Sequence, residues 1–378
     1  MIIPQLVPTT SAKSQELIDE MFENPSLFNS NTYSSRCENW LSKNVFKSKP
    51  TFLTTSGTRA LELIAASLDL SADDEIIFPS YTFVGTANPF VLFGAKPVFV
   101  DVMEDTLGMD FNILEDAITE NTKAIVVVHY NGIGAHISQI LRIAQKHNIL
   151  LIEDNAQGFM CTYKNQFLGT FGDFSILSFN YTKNIQCGEG GALIVNNLAF
   201  VQKVEQLYHL GTNRLDFLNK KVNHYEWVSK GSKFYPSQLE AAVLLPQLEQ
   251  SDSILNRRKQ MWDLYYDLLS DSPAILSRIS LPKQLPFCRH TGHIFYILLK
   301  NIKDKDPLIA FLKKQGISAF SHYSALHLSA YGQKHGLVYG GKVAEELGES
   351  LIRLPIFDTI TEEAVEYVVK TLEAFIKR

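Results

Sequence analysis

Apolar and polar positions alternate along this chain in two periods, and the order of those periods sets the expected architecture. Between Thr51 and Leu70, Phe52–Thr55 reads as a short strand and Ser56-Gly57-Thr58 as a turn. Leu61, Ile64, Ala65 and Leu68 then recur at i, i+3, i+4 and i+7, the period of a buried helix face. Apolar runs at 75–78 and 97–102 flank a segment of helical character. The runs 124–130 and 149–157 are β-branched, apolar on both faces, and separated by the helical pattern of Ile137 to Asn148. Further strands are expected at 174–179 and 190–195. Runs of this kind alternating with helices predict a largely parallel sheet covered on both sides.

Outside this core the pattern predicts a capped helix from Ser14 to about Phe22, and helices from about Phe200 onward, including 236–250 and 252–269. Beyond these, a strand-like run at 293–300, a helix around 305–315, the segment 317–323 and a final helix from Thr361 describe a smaller α+β unit. A boundary is expected near 245–260, within a long helix, dividing the chain into residues 1–250 and 251–378. A length of 378 residues accommodates two or three domains at ~100–200 residues each. No internal repeat or low-complexity stretch interrupts this reading.

Composition then removes several classes of function. Hydrophobic residues make up 46% and charged residues 20%, a globular balance incompatible with disorder of the whole. With 35 Lys+Arg against 40 Asp+Glu the net charge is −5, so no basic footprint for nucleic acid is expected. No apolar run approaches ~18 residues, and the first residues lack the basic start and long apolar stretch of a signal peptide. Cys37, Cys161, Cys187 and Cys288 are scattered without a CxxC, which argues against zinc and against a disulfide scaffold. A soluble, cytoplasmic protein is expected.

Four local features fall just beyond the carboxyl ends of predicted strands, where open α/β sheets bind ligands. Ser56-Gly57-Thr58 opens a helix whose free amides suit a phosphate, although such a residue is usually only an N-cap. Asp154 follows an apolar strand, where a carboxylate is expensive to bury unless something cationic meets it. It reads either as a capping group or as the partner of a protonated ring nitrogen. Lys183, in Ser178-Phe179-Asn180-Tyr181-Thr182-Lys183, sits in a charge-poor segment ahead of Gly188-Glu189-Gly190-Gly191. A desolvated lysine has a lowered pKa, and its neutral amine is a nucleophile for a carbonyl. Tyr81-Thr82-Phe83 supplies aromatic rings, which taken alone read as core packing. A phosphate cradle, an Asp for a pyridinium nitrogen, an aromatic plate and a Schiff-base lysine together are the needs of pyridoxal 5′-phosphate (PLP).

The order SGTxAL, PSYTF, EDxAQ and SFxxxKxxxxGEGG resembles the sugar-nucleotide aminotransferases of the DegT/StrS type, over nearly the whole chain. Within them, SYTFVGTANPFVLFGAKPVFVDV, VVHYNGIG, EDNAQG, LGTNR and IRLPIF look most like the bacterial dTDP-4-amino-4,6-dideoxygalactose transaminases. The resemblance implies an α/β fold, fold type I of the PLP-dependent transferases. Its large domain holds a mostly parallel central sheet covered by helices, beside a smaller C-terminal α+β domain. It also implies that Lys183 carries PLP and moves the proton, that Asp154 meets the pyridine nitrogen, and that Gln157 lies near the phenolic oxygen. Phe83 would stack on the ring, and Gly57, Thr58 and Ser178 would hold the phosphate. Relatives send an Asn from a GYNYR-like segment to the partner subunit's phosphate. Here Gly231-Ser232-Lys233-Phe234-Tyr235 puts Lys233 in that place, and a homodimer is expected.

The expected substrates, by the same resemblance, are L-glutamate and a dTDP-linked keto-sugar. His293, Tyr323 and His327 match segments that line the sugar-nucleotide side, with structural roles in the small domain as the alternative. The histidine spacings (290 and 293, 322 and 327) have no acidic or cysteine ligands beside them, so no metal is expected. The glycine-rich turn at 188–191 lacks GxGxxG spacing and reads as a turn near the cofactor. Sugar dehydratases of this family replace the lysine by His, so Lys183 argues for amine transfer. A non-catalytic binding protein on the same scaffold stays as the rival class.

Overall fold

The β-branched runs form a central eight-stranded sheet in a computed structural model that describes residues 1–377. Its strands are β1 (Thr51–Thr54), β2 (Glu75–Pro79), β3 (Lys96–Val100), β4 (Thr122–Val128), β5 (Leu150–Asp154), β6 (Phe174–Ser178) and β7 (Gly191–Val195), joined by β11 (Leu337–Tyr339). The spatial order is β1-β7-β6-β5-β4-β2-β3-β11, and β7 alone runs against the others. Because strand side chains alternate, neighbouring residues feed two cores. Ile76, Phe78, Val126, Ile152 and Ile176 pack with the helix Gly57–Ser67 on one face. Ile77, Val98, Ile125, Val127 and Leu151 pack with the helix Ile137–His147 on the other. The expected parallel sheet covered on both faces is the observed one. Among the described residues no helix is long and apolar enough to cross a membrane.

A second sheet, β8 (Ile279–Ser280), β9 (Phe295–Leu299), β12 (Leu351–Leu354) and β10 (Phe320–Ser321) in that order, builds the smaller unit. It packs on the helices Ser251–Ser270 and Glu362–Ile376 around Trp262, Tyr265, Phe295 and Val368. The helices expected at 236–250 and 252–269 are Gln238–Glu249 and Ser251–Ser270, which meet at Gln250. The chain also crosses the expected division twice. Ile3 pairs with Ile317 and lies in the smaller unit's core. β11, unanticipated from its three residues, pairs in parallel with β3 of the large sheet. The helical reading from Phe200 holds for Val201–Tyr208, but 209–237 is mostly irregular, with one short helix at Arg214–Leu218. The helix expected from Ser14 begins at Ala12, with Ser11 at its N-cap.

The end of β5 is fixed from beneath by Glu153, whose side chain points away from that of Asp154 and is fully buried. Its Oε1 accepts from Phe171 N at 2.7 Å and Gly172 N at 2.8 Å, and its Oε2 from Gly169 N at 2.8 Å. His129, at the end of β4, is 2.9 Å from Oε2. The three amides, shared between both oxygens, each need an acceptor, and a glutamine offers one oxygen and one NH2. Glu153→Gln is therefore expected to lower stability by about 2–4 kcal/mol, read as a fall in the urea midpoint. An unchanged midpoint would show that the 169–172 turn holds itself.

Candidate active site

A cavity of about 570 Å³ opens at the carboxyl ends of β1, β2, β5 and β6, with its far wall supplied by the smaller unit. Nine of the ten residues singled out from the sequence line it: Gly57, Thr58, Phe83, Asp154, Gln157, Ser178, Lys183, His293 and Tyr323. The tenth, His327, does not. The 3-10 turn Leu326–Leu328 packs under the end of β2, where Leu326 N donates to Ser80 O at 2.8 Å. The His327 ring is consequently buried between the Ser80 hydroxyl and Glu345, 3.0 Å from its Oε1. It clamps β2 to the helix Lys342–Ser350. Lys233 is also outside this cavity, exposed and with its ammonium 5.2 Å from the Tyr235 ring centre.

One end of the cavity is built to receive an anion. The helix Gly57–Ser67 begins at the sheet edge, and Ser56 caps it by accepting from Arg59 N at 3.1 Å. Gly57 and Thr58 lie ahead of the first intrahelical donors, so their amides face the cavity side without a helical acceptor. A Cβ on Gly57 would lie 3.1 Å from Ser178 Cβ and 3.3 Å from Leu177 O, so glycine lets the helix start sit tightly against the end of β6. Ser178, Thr58 and Thr182 add hydroxyl groups to the same lining.

Asp154 stands at the middle. Its Oδ2 accepts from Thr86 Oγ1 at 2.7 Å, and its Oδ1 from Ala156 N at 3.1 Å. Thr86 is steadied in turn by Thr82, 2.9 Å away. Its partners within the chain are thus a hydroxyl and an amide. Thr86 was missed because nothing local distinguishes it. It simply sits one turn into the helix Val84–Leu92, facing β5.

Lys183 follows β6 on a tight loop. Its amide donates to Asn180 O at 2.8 Å, while the Asn180 side chain accepts from Thr182 and donates to Glu189 at 2.6 Å. The glycine-rich turn closes beneath it: Tyr181 N donates to Gly188 O at 2.8 Å, and Gly188 adopts φ +83°. Burial drives the Lys183 ammonium pKa down to about 8, with Asp154 pulling it up and Arg353 pushing it further down.

The opposite wall is aromatic and imidazole-rich. Gln157 accepts from Asn131 N at 2.8 Å and reaches the Tyr323 hydroxyl at 3.4 Å. Phe83 is 56% exposed, its ring centre 6.1 Å from that of Tyr323, so one aromatic face is open to the cavity. His293 is fixed by Asn184 Oδ1, 2.9 Å from its Nδ1. Burial, then the charges of Lys183 and Arg353, holds it well below the usual imidazole range, and it is neutral at pH 7. His322 packs on Tyr323 with ring centres 3.6 Å apart, 2.9 Å from Tyr130 Oη and 3.3 Å from Arg353 Nη1. Burial and the Arg353 charge push it down to about 2. His322 belongs to the stretch 321–327 that the resemblance put on the sugar-nucleotide side, whereas Arg353 was not anticipated. The available signal was an arginine inside the apolar strand Leu351–Leu354.

The geometry therefore offers an anion cradle, a fixed carboxylate, a lysine with a depressed pKa and an exposed aromatic face within one cavity. These residues fit PLP: the helix N-terminus would take its phosphate, Phe83 its ring and Lys183 its carbonyl.

Comparison with known proteins agrees with this chemistry. A GDP-perosamine synthase of Escherichia coli O157:H7 is 28% identical over 375 residues, 99% of this chain and 98% of that protein. An uncharacterised protein of Methanocaldococcus jannaschii is 32% identical over 348 residues, 89% of this chain and 88% of that one. Among solved structures, the Helicobacter pylori aminotransferase PseC, involved in pseudoaminic acid biosynthesis, superposes with a TM-score of 0.91 at 24% identity over the full length of both chains. The PLP form of a sugar aminotransferase described as putative, from Streptococcus pneumoniae, gives 0.89 at 25% identity, over 100% of this chain and 99% of that one. The model of the DegT/DnrJ/EryC1/StrS aminotransferase family matches residues 10–373, nearly the whole length on which the fold and cavity are built. The chain belongs to that family of aminotransferases.

Proposed function

We propose that the protein transfers the amino group of L-glutamate to dTDP-4-keto-6-deoxy-D-glucose, giving dTDP-4-amino-4,6-dideoxy-D-galactose. The observation that carries the amine-transfer chemistry is Lys183, with its depressed pKa, sharing one cavity with the fixed Asp154. When bound, PLP supplies a carbonyl that accepts the amine and a ring that takes up electrons from the carbon being deprotonated. The amides of Gly57 and Thr58, with the Ser178 hydroxyl, hold its phosphate. Asp154 keeps a proton on the ring nitrogen, and Gln157 orients the phenolic oxygen. Lys183 Nζ removes the proton from the donor's α-carbon and later delivers one to C4 of the sugar. Which face of C4 receives that proton decides the stereochemistry, so the sugar must be held in one orientation. Most of that hold belongs to the nucleotide and diphosphate, remote from the reacting carbon, with His293 and Tyr323 on the facing wall. The active unit is a homodimer, in which Lys233, exposed on its own chain, reaches the partner's phosphate site.

The dTDP-galacto assignment rests on a likeness spread along the whole chain instead of one confined to the PLP residues. Amine transfer from glutamate to a panel of dTDP-, UDP- and GDP-linked keto-sugars, with NMR of the product, tests it. The expected product carries an axial amine at C4. An equatorial amine, an amine at C3, or a preference for the GDP-linked acceptor would defeat the substrate assignment and leave amine transfer standing.

A further inference from the structure

His293 lies two residues before β9, at the seam between the two units, and both of them hold it. Arg258, on the helix Ser251–Ser270, donates to Gly292 O at 3.3 Å and to His293 O at 2.8 Å. From the large unit, Asn131 Oδ1 accepts from Ile294 N at 3.0 Å. The ring is fixed as well as the backbone. Asn184 Nδ2 donates to the carbonyl oxygen of Thr291 at 3.4 Å and to its hydroxyl at 3.3 Å, and that hydroxyl donates in turn to Phe159 O at 3.3 Å. Two acceptors therefore hold the NH2 end of the amide, which turns its Oδ1 toward His293 Nδ1, 2.9 Å away. An amide oxygen only accepts, so Nδ1 carries the imidazole proton and Nε2 presents a bare lone pair. Nε2 has no hydrogen-bond partner among the described residues, and the ring lines the cavity. After burial, the charge of Lys183 is the strongest influence on this imidazole, which puts it at the reacting end.

That tautomer decides what the ring can hold. Carboxylate and diphosphate oxygens are acceptors themselves, so a neutral imidazole offering only a lone pair gives them nothing, and it bonds only to a donor. Glutamate, apart from the amine it gives up, presents two carboxylates. A nucleotide-linked 4-keto-6-deoxy sugar presents the diphosphate at C1 and a methyl group on C5, and the hydroxyl next to the reacting carbon is the one on C3. We infer that His293, held in one tautomer by Asn184, accepts a hydrogen bond from the C3 hydroxyl of the keto-sugar, and so selects sugars with a hydroxyl beside the carbon to be aminated. Lys183 and Asn184 are consecutive, so one loop sets both the amine and, through Asn184, the imidazole. A contact one carbon from C4 also limits how the sugar ring can turn. The inference rests on the sugar-aminotransferase reading above.

The test uses holoenzyme and follows the two half-reactions separately by stopped-flow absorbance. In one, L-glutamate converts the cofactor to its amine form. In the other, the keto-sugar converts it back. His293→Asn keeps a nitrogen donor near the place of Nδ1 and removes the acceptor at Nε2, whereas His293→Gln puts an amide near Nε2. His293→Asn is expected to lower kcat/KM of the sugar half-reaction by about 10–100-fold, while the glutamate half-reaction loses far less. His293→Gln should recover part of the loss. The diagnostic probe is the accepted nucleotide-linked keto-sugar without its C3 hydroxyl. The wild type should prefer the hydroxylated sugar by about the factor lost in His293→Asn, and in that variant the preference should vanish, a change that general loosening of the fold would not produce. A wild type indifferent to the C3 hydroxyl, equal slowing of both halves, or an undiminished preference in His293→Asn overturns the assignment. A wild-type enzyme that aminates C3, or no nucleotide-linked sugar at all, overturns the reading above and the assignment with it.

Discussion

Replacing Lys183 by alanine is expected to reduce turnover by about 10⁴-fold or more, because one side chain supplies both the amine that captures the cofactor carbonyl and the base that moves the proton. The wild-type protein loaded with PLP should be yellow, and borohydride should abolish the visible band by fixing the cofactor to Nζ. The variant should give no such covalent adduct while still binding the cofactor through the Gly57–Thr58 cradle. The depressed pKa sets a pH dependence with a definite sign. The nucleophile is the neutral amine, so capture of PLP by apo-protein should quicken as pH rises through about 8 and level off above it. At pH 7 a lysine with a pKa near 8 is neutral in about one molecule in ten, against about three in ten thousand for an ordinary lysine. A Lys183→Ala protein with near-normal turnover, or wild-type capture that keeps quickening up to pH 10, would remove Lys183 from this role.

How far the sequence carried this picture depended on the range of the interaction that decides each element. The central sheet was legible because its strands are apolar on both faces, and only a doubly covered sheet satisfies such runs. The positions of Asp154 and Lys183 followed, since each lies at the end of one of those runs and needs no knowledge of the distant chain. β11 was not legible. Leu337, Val338 and Tyr339 are three residues, Leu337 and Val338 exposed, and their pairing with β3 is decided by a return from the smaller unit that no local period encodes. His327 shows the limit for side chains. Its neighbour Tyr323 turns into the cavity, but four residues later a 3-10 turn points the imidazole at Ser80 instead. Spacing along the sequence carries no information on that direction. Arg353 was hidden for a different reason: its buried Nε has no hydrogen-bond partner among the described residues, and an unused donor is visible only once the surroundings are known.

Asp154→Asn separates charge from shape at the centre of the site. An asparagine can keep the local geometry. Its oxygen accepts from Ala156 N or from Thr86, and the Thr86 hydroxyl can rotate to accept from the new NH2 while donating to Thr82, 2.9 Å away. What is lost is the negative charge that favours a proton on the ring nitrogen, and with it the ring's capacity to take up electrons in both half-reactions. Turnover is therefore expected to fall by about 10³-fold, with cofactor retained through the separate phosphate cradle. Lys183 supplies an independent check of opposite sign. The Asp154 carboxylate raises the lysine pKa, so removing it should move the midpoint of PLP capture to lower pH and make the amine more available at pH 7. Faster capture combined with collapsed turnover is the signature of a lost charge. Misfolding would weaken both together, and unchanged turnover would assign the ring proton to another acid. Measuring capture rate against pH and the two half-reactions in the same variant decides among these outcomes.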